Sequence, residues 1–348
     1  MDGTLKIIFN RLLENINLYV IILIFILFLL GCIILYSASG GSYNPLVKSH
    51  LIKFTLSLII LFLICGLNSS LVFKYSYIIY LINIILLASL FFIGKESAGS
   101  TRWLDFGVYT IQPSELAKIG LVLALSRYYN EFIHVSNKSL IKVIIPLILI
   151  AIPLFSIVKQ PDLGTGLLIL LIGLSIIFAS GISFLIVSLG VIAMFSVIPL
   201  IWPFLYSYQQ KRILTFLNPE NDPLGSGYHI AQSKIAIGSG GFWGKGYMQG
   251  SQSQLQFIPE IHTDFVFSIF SEEFGLFGSF LIIIFYSLFI LYGLLSSYYA
   301  REVFNKLVIF GLTINIFLYF IVNIAMVIGL APVVGVPLPL VSFGGSAM

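Results

Sequence analysis

Leu18-Tyr-Val-Ile-Ile-Leu-Ile-Phe-Ile-Leu-Phe-Leu-Leu-Gly-Cys-Ile-Ile-Leu-Tyr36 carries no charged residue and decides the fold class. About 20 apolar residues are what a helix needs to cross a hydrocarbon core of roughly 30 Å. Runs of this kind recur along most of the 348-residue chain, which is 59% hydrophobic and 9% charged with a mean hydropathy of +1.05. Soluble domains usually carry about 25% charged residues. Lipid gives the backbone no hydrogen-bond partners, so the runs must be helices or a closed barrel, and their length without alternation favours helices. An all-α integral membrane protein is expected. Lys6 and Arg11 precede the first run and Ser37-Ala-Ser39 faintly resembles a signal-peptidase site. The run exceeds a signal h-region and further spans follow, which points to an uncleaved first helix.

Spans are expected near 18–37, 51–67, 76–94, 113–130, 139–158, 163–180, 182–202, 265–296 and 306–329. They make a nine-crossing helical bundle, one membrane domain over 1–348 with a large extracytoplasmic loop at 203–263. Links carrying Lys74, then Arg127, Lys138 and Lys142, then Arg301 and Lys306 alternate with links poorer in bases, which puts the N-terminus in the cytoplasm. On that topology Arg102-Trp-Leu-Asp-Phe, Gln160-Pro-Asp-Leu-Gly, the 203–263 loop and the tail from Pro337 all face outward, as parts of one site would. In the eighth span the apolar part runs from Phe274 to about Leu295. A straight helix then carries Asp264 about 15 Å beyond it, at headgroup level. The net charge of +4 is small and its bases are scattered, so no nucleic-acid footprint is present. Cys32 and Cys65 fall in the first two runs toward opposite faces, and no disulfide is expected between them.

Each unusual polar residue has a bland reading beside a chemical one. Pro113-Ser-Glu115-Leu-Ala-Lys118 opens the fourth span with Glu115 and Lys118 on one face: a structural ion pair, or charges lining a cavity. Asp162 sits in the first turn of the sixth span, where the dipole favours an anion and capping alone would explain it. Arg102 and Trp103 offer a cation and an aromatic platform, although belt anchoring explains Trp103 equally well. Gly238-Ser-Gly-Gly-Phe-Trp-Gly-Lys-Gly246 is no nucleotide P-loop, because Ser239 holds the first glycine position and Gly246 the final Ser/Thr. Its glycines serve either to approach a pyrophosphate or to make tight turns. His262 near Asp264 lacks the second His or cysteine pair of a tight zinc site, so no metal ligands are assigned. Mg²⁺ or Mn²⁺ held loosely on carboxylates and a substrate phosphate is compatible with the sequence without being demanded by it. Asp264 itself is either the cap of the eighth helix or a chemical group. Outward-facing Arg102, Lys118, Lys211 and Arg212, suited to a phosphorylated substrate, favour the second.

Asn218-Pro-Glu-Asn-Asp-Pro-Leu-Gly-Ser-Gly-Tyr228, Gln232-Ser-Lys-Ile-Ala-Ile-Gly-Ser-Gly-Gly241, Gly244-Lys-Gly246, Gln252-Ser-Gln-Leu255, Pro259-Glu-Ile-His-Thr-Asp-Phe265 and Pro337-Leu-Pro-Leu-Val-Ser-Phe-Gly-Gly345 together closely resemble the SEDS family of cell-wall glycosyltransferases, over nearly the whole chain. Gly244-Lys-Gly246 with Ser-Gln-Ser-Gln-Leu255, and Val333-Val-Gly-Val-Pro-Leu-Pro339, look more like its elongation branch than its division branch. The resemblance implies polymerisation of lipid II into glycan strands on the outer face of the bacterial cytoplasmic membrane. It also implies a class B penicillin-binding protein and the rod-shape cytoskeletal complex as partners. By resemblance Asp264 is the catalytic acidic residue, while Arg102, Trp103, Glu115, Lys118, Gln160 and Asp162 match family positions that line or support the cavity. Lys211, Arg212, His262 and Ser342 complete the substrate-binding candidates.

Two departures stand out. Phe343 replaces the Tyr of Ser-Tyr-Gly-Gly-Ser, and the chain stops at Met348 before the family's tenth helix, so the expectation is a bundle lacking a neighbour for its ninth span. Two other functions fit the same residues: a lipid II flippase, because intramembrane charges also mark transport sites, and a non-catalytic scaffold if the shortened end inactivates the chain.

Overall fold

The apolar runs fold as helices in a computed structural model that describes residues 17–97, 100–105, 110–134, 140–182, 188, 190, 202–222, 225–254 and 262–344. In chain order the main elements are α1 (Leu18–Ala38), α2 (Leu46–Cys65), α3 (Ser69–Ile93), β1 (Lys95–Ser97), β2 (Ser100–Asp105), β3 (Thr110–Ile111), α4 (Pro113–Glu131), α5 (Ile141–Lys159), α6 (Leu163–Ala179), α7 (Ser207–Leu217), α8 (Ser226–Ser239), α9 (Val266–Tyr299) and α10 (Val303–Val327). The span expected over 182–202 lies almost wholly outside the described residues, as do Lys6, Arg11 and Lys138. By length and composition α1, α2, α3, α5, α9 and α10 are each able to cross a membrane, and α6 is a shorter apolar helix. The chain is a multi-pass membrane protein. Cys32 and Cys65 are not joined in a disulfide.

Two helices start ahead of their apolar runs, α2 at Leu46 and α3 at Ser69, so Lys74 lies on a helix rather than in a link. The same correction applies to Arg127 on α4 and Lys142 on α5. Helical hydrogen bonding does not stop where hydrophobicity does, and long basic side chains lie along the helix ends. Arg127 shows how: its Nε pairs with Glu131 at 2.7 Å, its Nη1 donates to the Lys74 carbonyl at 2.7 Å, and its guanidinium stacks on Tyr77.

The chain divides into two compact units, one from Met1–Asn68, Leu214–Tyr292 and Tyr319–Met348, the other from Ser69–Ile213 and Gly293–Leu318. In the second unit α4 is the centre. It carries four charged residues, too many for an ordinary lipid-facing span, and Leu121, Val122, Ala124 and Leu125 are all buried against α3, α5 and α6. Small residues let these helices approach, as membrane packing requires: a Cβ on Gly120 would collide with Asn83, and one on Gly173 with Ile150. A three-stranded antiparallel sheet, ordered β1-β2-β3, links α3 to α4.

Pro146 and Pro153 both lie inside α5. A proline has no N–H for the carbonyl four residues earlier, so the Lys142 and Leu149 carbonyls are released where lipid offers no donor. Tyr129 Oη donates to the Lys142 carbonyl at 2.9 Å and Tyr80 Oη to the Leu149 carbonyl at 2.8 Å. Both tyrosines are buried. Removing either hydroxyl strands a buried acceptor, which costs about 1–3 kcal/mol. Tyr80→Phe is therefore expected to lower the thermal midpoint in detergent, and Pro153→Ala, which restores the helical donor, to recover most of the loss; an undiminished deficit in the double variant contradicts the assignment.

In the first unit α9 is not straight. Gly275 adopts φ 66°, ψ −162° and breaks it into two half-helices. The glycine-rich turn after α8 mends the break: Lys245 and Gly246 donate their N–H groups to the Glu272 and Glu273 carbonyls at 3.0 and 3.1 Å, while Leu276 and Phe277 donate to the Gly241 and Phe242 carbonyls at 2.9 and 3.2 Å. Gly244, at φ +83°, is required because a Cβ there would collide with the Glu273 backbone. The glycines thus serve close backbone packing, and the N–H groups of Gly244, Lys245 and Gly246 are all spent inside the protein rather than aimed at a pyrophosphate. The break also overturns the straight-helix estimate of a 15 Å projection for Asp264, because constant rise per residue does not hold through Gly275. Glu272 and Glu273, placed by that estimate on a projecting stretch, are 0% and 1% exposed.

Candidate active site

In the second unit the expected residues around the start of α6 converge. Lys118 Nζ pairs with Glu115 Oε1 at 2.9 Å and is 1% exposed, and Asp162 bears electrostatically on the same ammonium. Asp162 is the N-cap of α6, its carboxylate accepting from the Thr165 N–H at 3.2 Å and the Thr165 hydroxyl at 2.9 Å. Arg102 Nε lies 3.4 Å from Asp162 Oδ2, and its Nη2 donates to the Pro161 carbonyl at 2.9 Å. The Tyr208 hydroxyl donates to that same carbonyl, and Arg212 stacks over the Tyr208 ring. Arg102, Asp162, Glu115, Lys118 and Arg212 are thus linked through one network, in which capping and ion pairing coexist.

Gln160, 2% exposed, donates its amide to the Leu87 carbonyl at 2.9 Å and supports the turn before α6. Trp103 follows Arg102 on β2 and by strand alternation faces the opposite side. Lys211 is exposed on α7. Sequence reasoning missed Tyr208, whose only signal was its position one helical turn before Arg212.

In the first unit Asp264 precedes α9 by a short turn and lies against the segment after α10. Asn323 Nδ2 donates to the Asp264 carbonyl at 2.9 Å and to the Val336 carbonyl at 2.7 Å. A Cβ on Gly335, at φ +78°, would stand 3.4 Å from Asp264 Oδ2. Phe343 donates its N–H to the His262 carbonyl at 2.9 Å, which ties the other end of the same segment to the residues before Asp264. Ser342 is buried, and its hydroxyl accepts from the Leu338 N–H at 2.9 Å, locking the turn. Phe343, the departure from tyrosine, lies under the Lys53 ammonium at 4.1 Å. Tyr286, fully buried, donates to the Pro339 carbonyl. The segment from Gly335 to Phe343 is therefore tied at both ends to the residues around Asp264. Tyr286 and Asn323 had no sequence signal except being polar within apolar runs.

Comparison with known proteins identifies the family. A family model described as a cell cycle protein, FtsW/RodA/SpoVE, matches residues 17–348. The peptidoglycan glycosyltransferase MrdB of Escherichia coli K12 is 41% identical over 94% of this chain and 88% of its own length. MrdB of Helicobacter pylori J99 is 38% identical over 79% of this chain and 72% of its own, and the probable peptidoglycan glycosyltransferase FtsW of Buchnera aphidicola subsp. Schizaphis graminum 35% over 87% and 86%. Among solved structures, a chain from a peptidoglycan synthase complex that coordinates polymerization and crosslinking superposes with a TM-score of 0.82 at 27% identity, covering 95% of this chain and 93% of that one. The crystal structure of the rod shape determining protein RodA of Thermus thermophilus shares the fold, with a TM-score of 0.71 at 24% identity over 95% and 91%. With a family model matching residues 17–348 and relatives up to 41% identical over 94% of its length, this chain belongs to the FtsW/RodA/SpoVE cell cycle protein family, the SEDS family that its sequence resembles.

Proposed function

We propose that this chain is a peptidoglycan glycosyltransferase of the elongation type, which polymerises lipid II on the outer face of the bacterial cytoplasmic membrane with its N-terminus in the cytoplasm. The observation that carries the reading is the seat of Asp264: its backbone is tied by Asn323, and a glycine at positive φ lies beside its carboxylate. The 41% identity to MrdB across 94% of the chain supports the same reaction.

The chemistry follows from a base and a set of cations. The 4-hydroxyl oxygen of an incoming lipid II attacks the anomeric carbon of the growing strand, and the bond from that carbon to the pyrophosphate oxygen breaks with inversion from α to β. Asp264 takes the hydroxyl proton as the new bond forms. Undecaprenyl pyrophosphate leaves with the electron pair, and Arg102, Lys211 and Arg212 are the cations suited to the charge that develops on it, Lys118 being buried in its pair with Glu115. Asp162 pairs with Arg102, Gln160 supports the turn before α6 and Ser342 locks the turn after Pro337, while Trp103 and His262 are proposed as further substrate contacts. Among the described residues no three His, Cys, Asp or Glu side chains gather as metal ligands. A Mg²⁺ or Mn²⁺ ion is proposed only as one held loosely on carboxylates and a substrate phosphate. Likeness to a chain of a complex that also crosslinks supports a class B penicillin-binding protein as partner, and the rod-shape cytoskeletal complex is proposed as the second.

One observation favours transport as the second reading: α9 is a broken helix with two buried carboxylates, and discontinuous helices mark transport sites. Purified protein in vesicles with lipid II already in both leaflets separates the two. Glycan strands are expected, with Asp264 essential; lipid translocation without strands would establish the flippase.

A further inference from the structure

Asn323 is 0% exposed inside the apolar helix α10. A buried amide in a membrane span is costly, and such residues persist where they are needed. Both of its donors are used on irregular backbone: Asp264 O at 2.9 Å and Val336 O at 2.7 Å. Its Oδ1 is buried without a hydrogen-bond partner, so the side chain is placed for its two N–H groups and not for its carbonyl. Val336 follows Gly335, the residue beside the Asp264 carboxylate. One amide therefore bridges the backbone that carries the carboxylate and the backbone that walls it.

We propose that Asn323 is a positioning residue for the glycosyl transfer: by clamping Asp264 to Val336 it fixes how far the Asp264 carboxylate stands from Gly335. This rests on Asp264 being the general base. The clamp acts through the main chain, on the Asp264 carbonyl and not on its carboxylate. Misplacing a reacting group by about 1 Å costs on the order of a hundredfold in rate. A purely structural amide, present to satisfy two carbonyls in lipid, would lower stability and leave the turnover of the folded protein unchanged.

The test is the steady-state polymerisation of lipid II by purified Asn323→Ala, Asn323→Gln and Asp264→Asn, each checked for fold by thermal melting in detergent. Asn323→Ala is expected to lower kcat at least tenfold with KM within about twofold, and Asn323→Gln, which keeps both donors on a longer arm, to recover part of kcat. If Asn323→Ala does not fold, Asn323→Ser, which keeps one donor, is judged by the same criterion. Unchanged kcat in a folded Ala or Ser variant overturns the proposal. Failure of both to fold overturns it too, because the amide would then hold the fold rather than the base. The parallel variant separates the two readings: full activity in Asp264→Asn removes the base itself, whereas an inactive Asp264→Asn beside a fully active Asn323→Ala removes only the clamp.

Discussion

Replacing Lys245 with Met is expected to destabilise the protein by about 3 kcal/mol, the range for removing one partner of a buried ion pair. Glu272 is 0% exposed, and its Oε1 receives Lys245 Nζ at 2.7 Å, the Ser251 hydroxyl at 3.1 Å and the Gln252 N–H at 3.1 Å. Without the ammonium, a buried carboxylate keeps two neutral donors and no counter-charge. Glu272→Gln alone should cost less, because Lys245 is 29% exposed and reaches water. The double variant, with no charge at either position, should recover most of the loss. A double-mutant cycle of thermal midpoints measures this coupling; additive losses would mean that the pair does not hold the turn after α8 onto the broken helix.

That broken helix marks the limit of what the sequence made legible. The spans could be read because apolar runs of membrane length have few alternatives in lipid, and α1, α5, α9 and α10 follow them. The Glu115–Lys118 pair was legible from i,i+3 spacing, and the capping Asp162 from its place at a helix start. Both depend on residues close in the chain. The break at Gly275 was not legible, because it is stabilised by hydrogen bonds to residues 241–246, about thirty positions away. The same holds for Tyr80 and Tyr129 on the α5 carbonyls and for Asn323 at Asp264: each side chain answers a backbone defect in another segment. Sequence spacing announces the defect, a proline or an irregular loop, without saying which distant donor repairs it.

Asp264→Asn carries the other large expectation. The amide matches the carboxylate in shape but cannot accept the hydroxyl proton, and general-base catalysis contributes about 10²–10⁴-fold. Asn323 binds the Asp264 main-chain carbonyl, which the substitution leaves in place, so fold and substrate affinity should change little while kcat falls by that factor. A variant that lost KM instead would assign Asp264 to binding. Arg102, linked to Asp162 and Pro161, acts on the leaving group instead: Arg102→Met removes a cation suited to the charge developing on pyrophosphate and is expected to lower kcat more than it raises KM.

The most direct measurement is the conversion of lipid II, as sole substrate, into glycan strands by the purified wild-type chain and by Asp264→Asn at matched folded concentration. Strands are expected from the wild type, with at least a hundredfold slower formation from Asp264→Asn at the same thermal midpoint. Equal rates from the two proteins, or no strands from either while both remain folded, would contradict the proposed function.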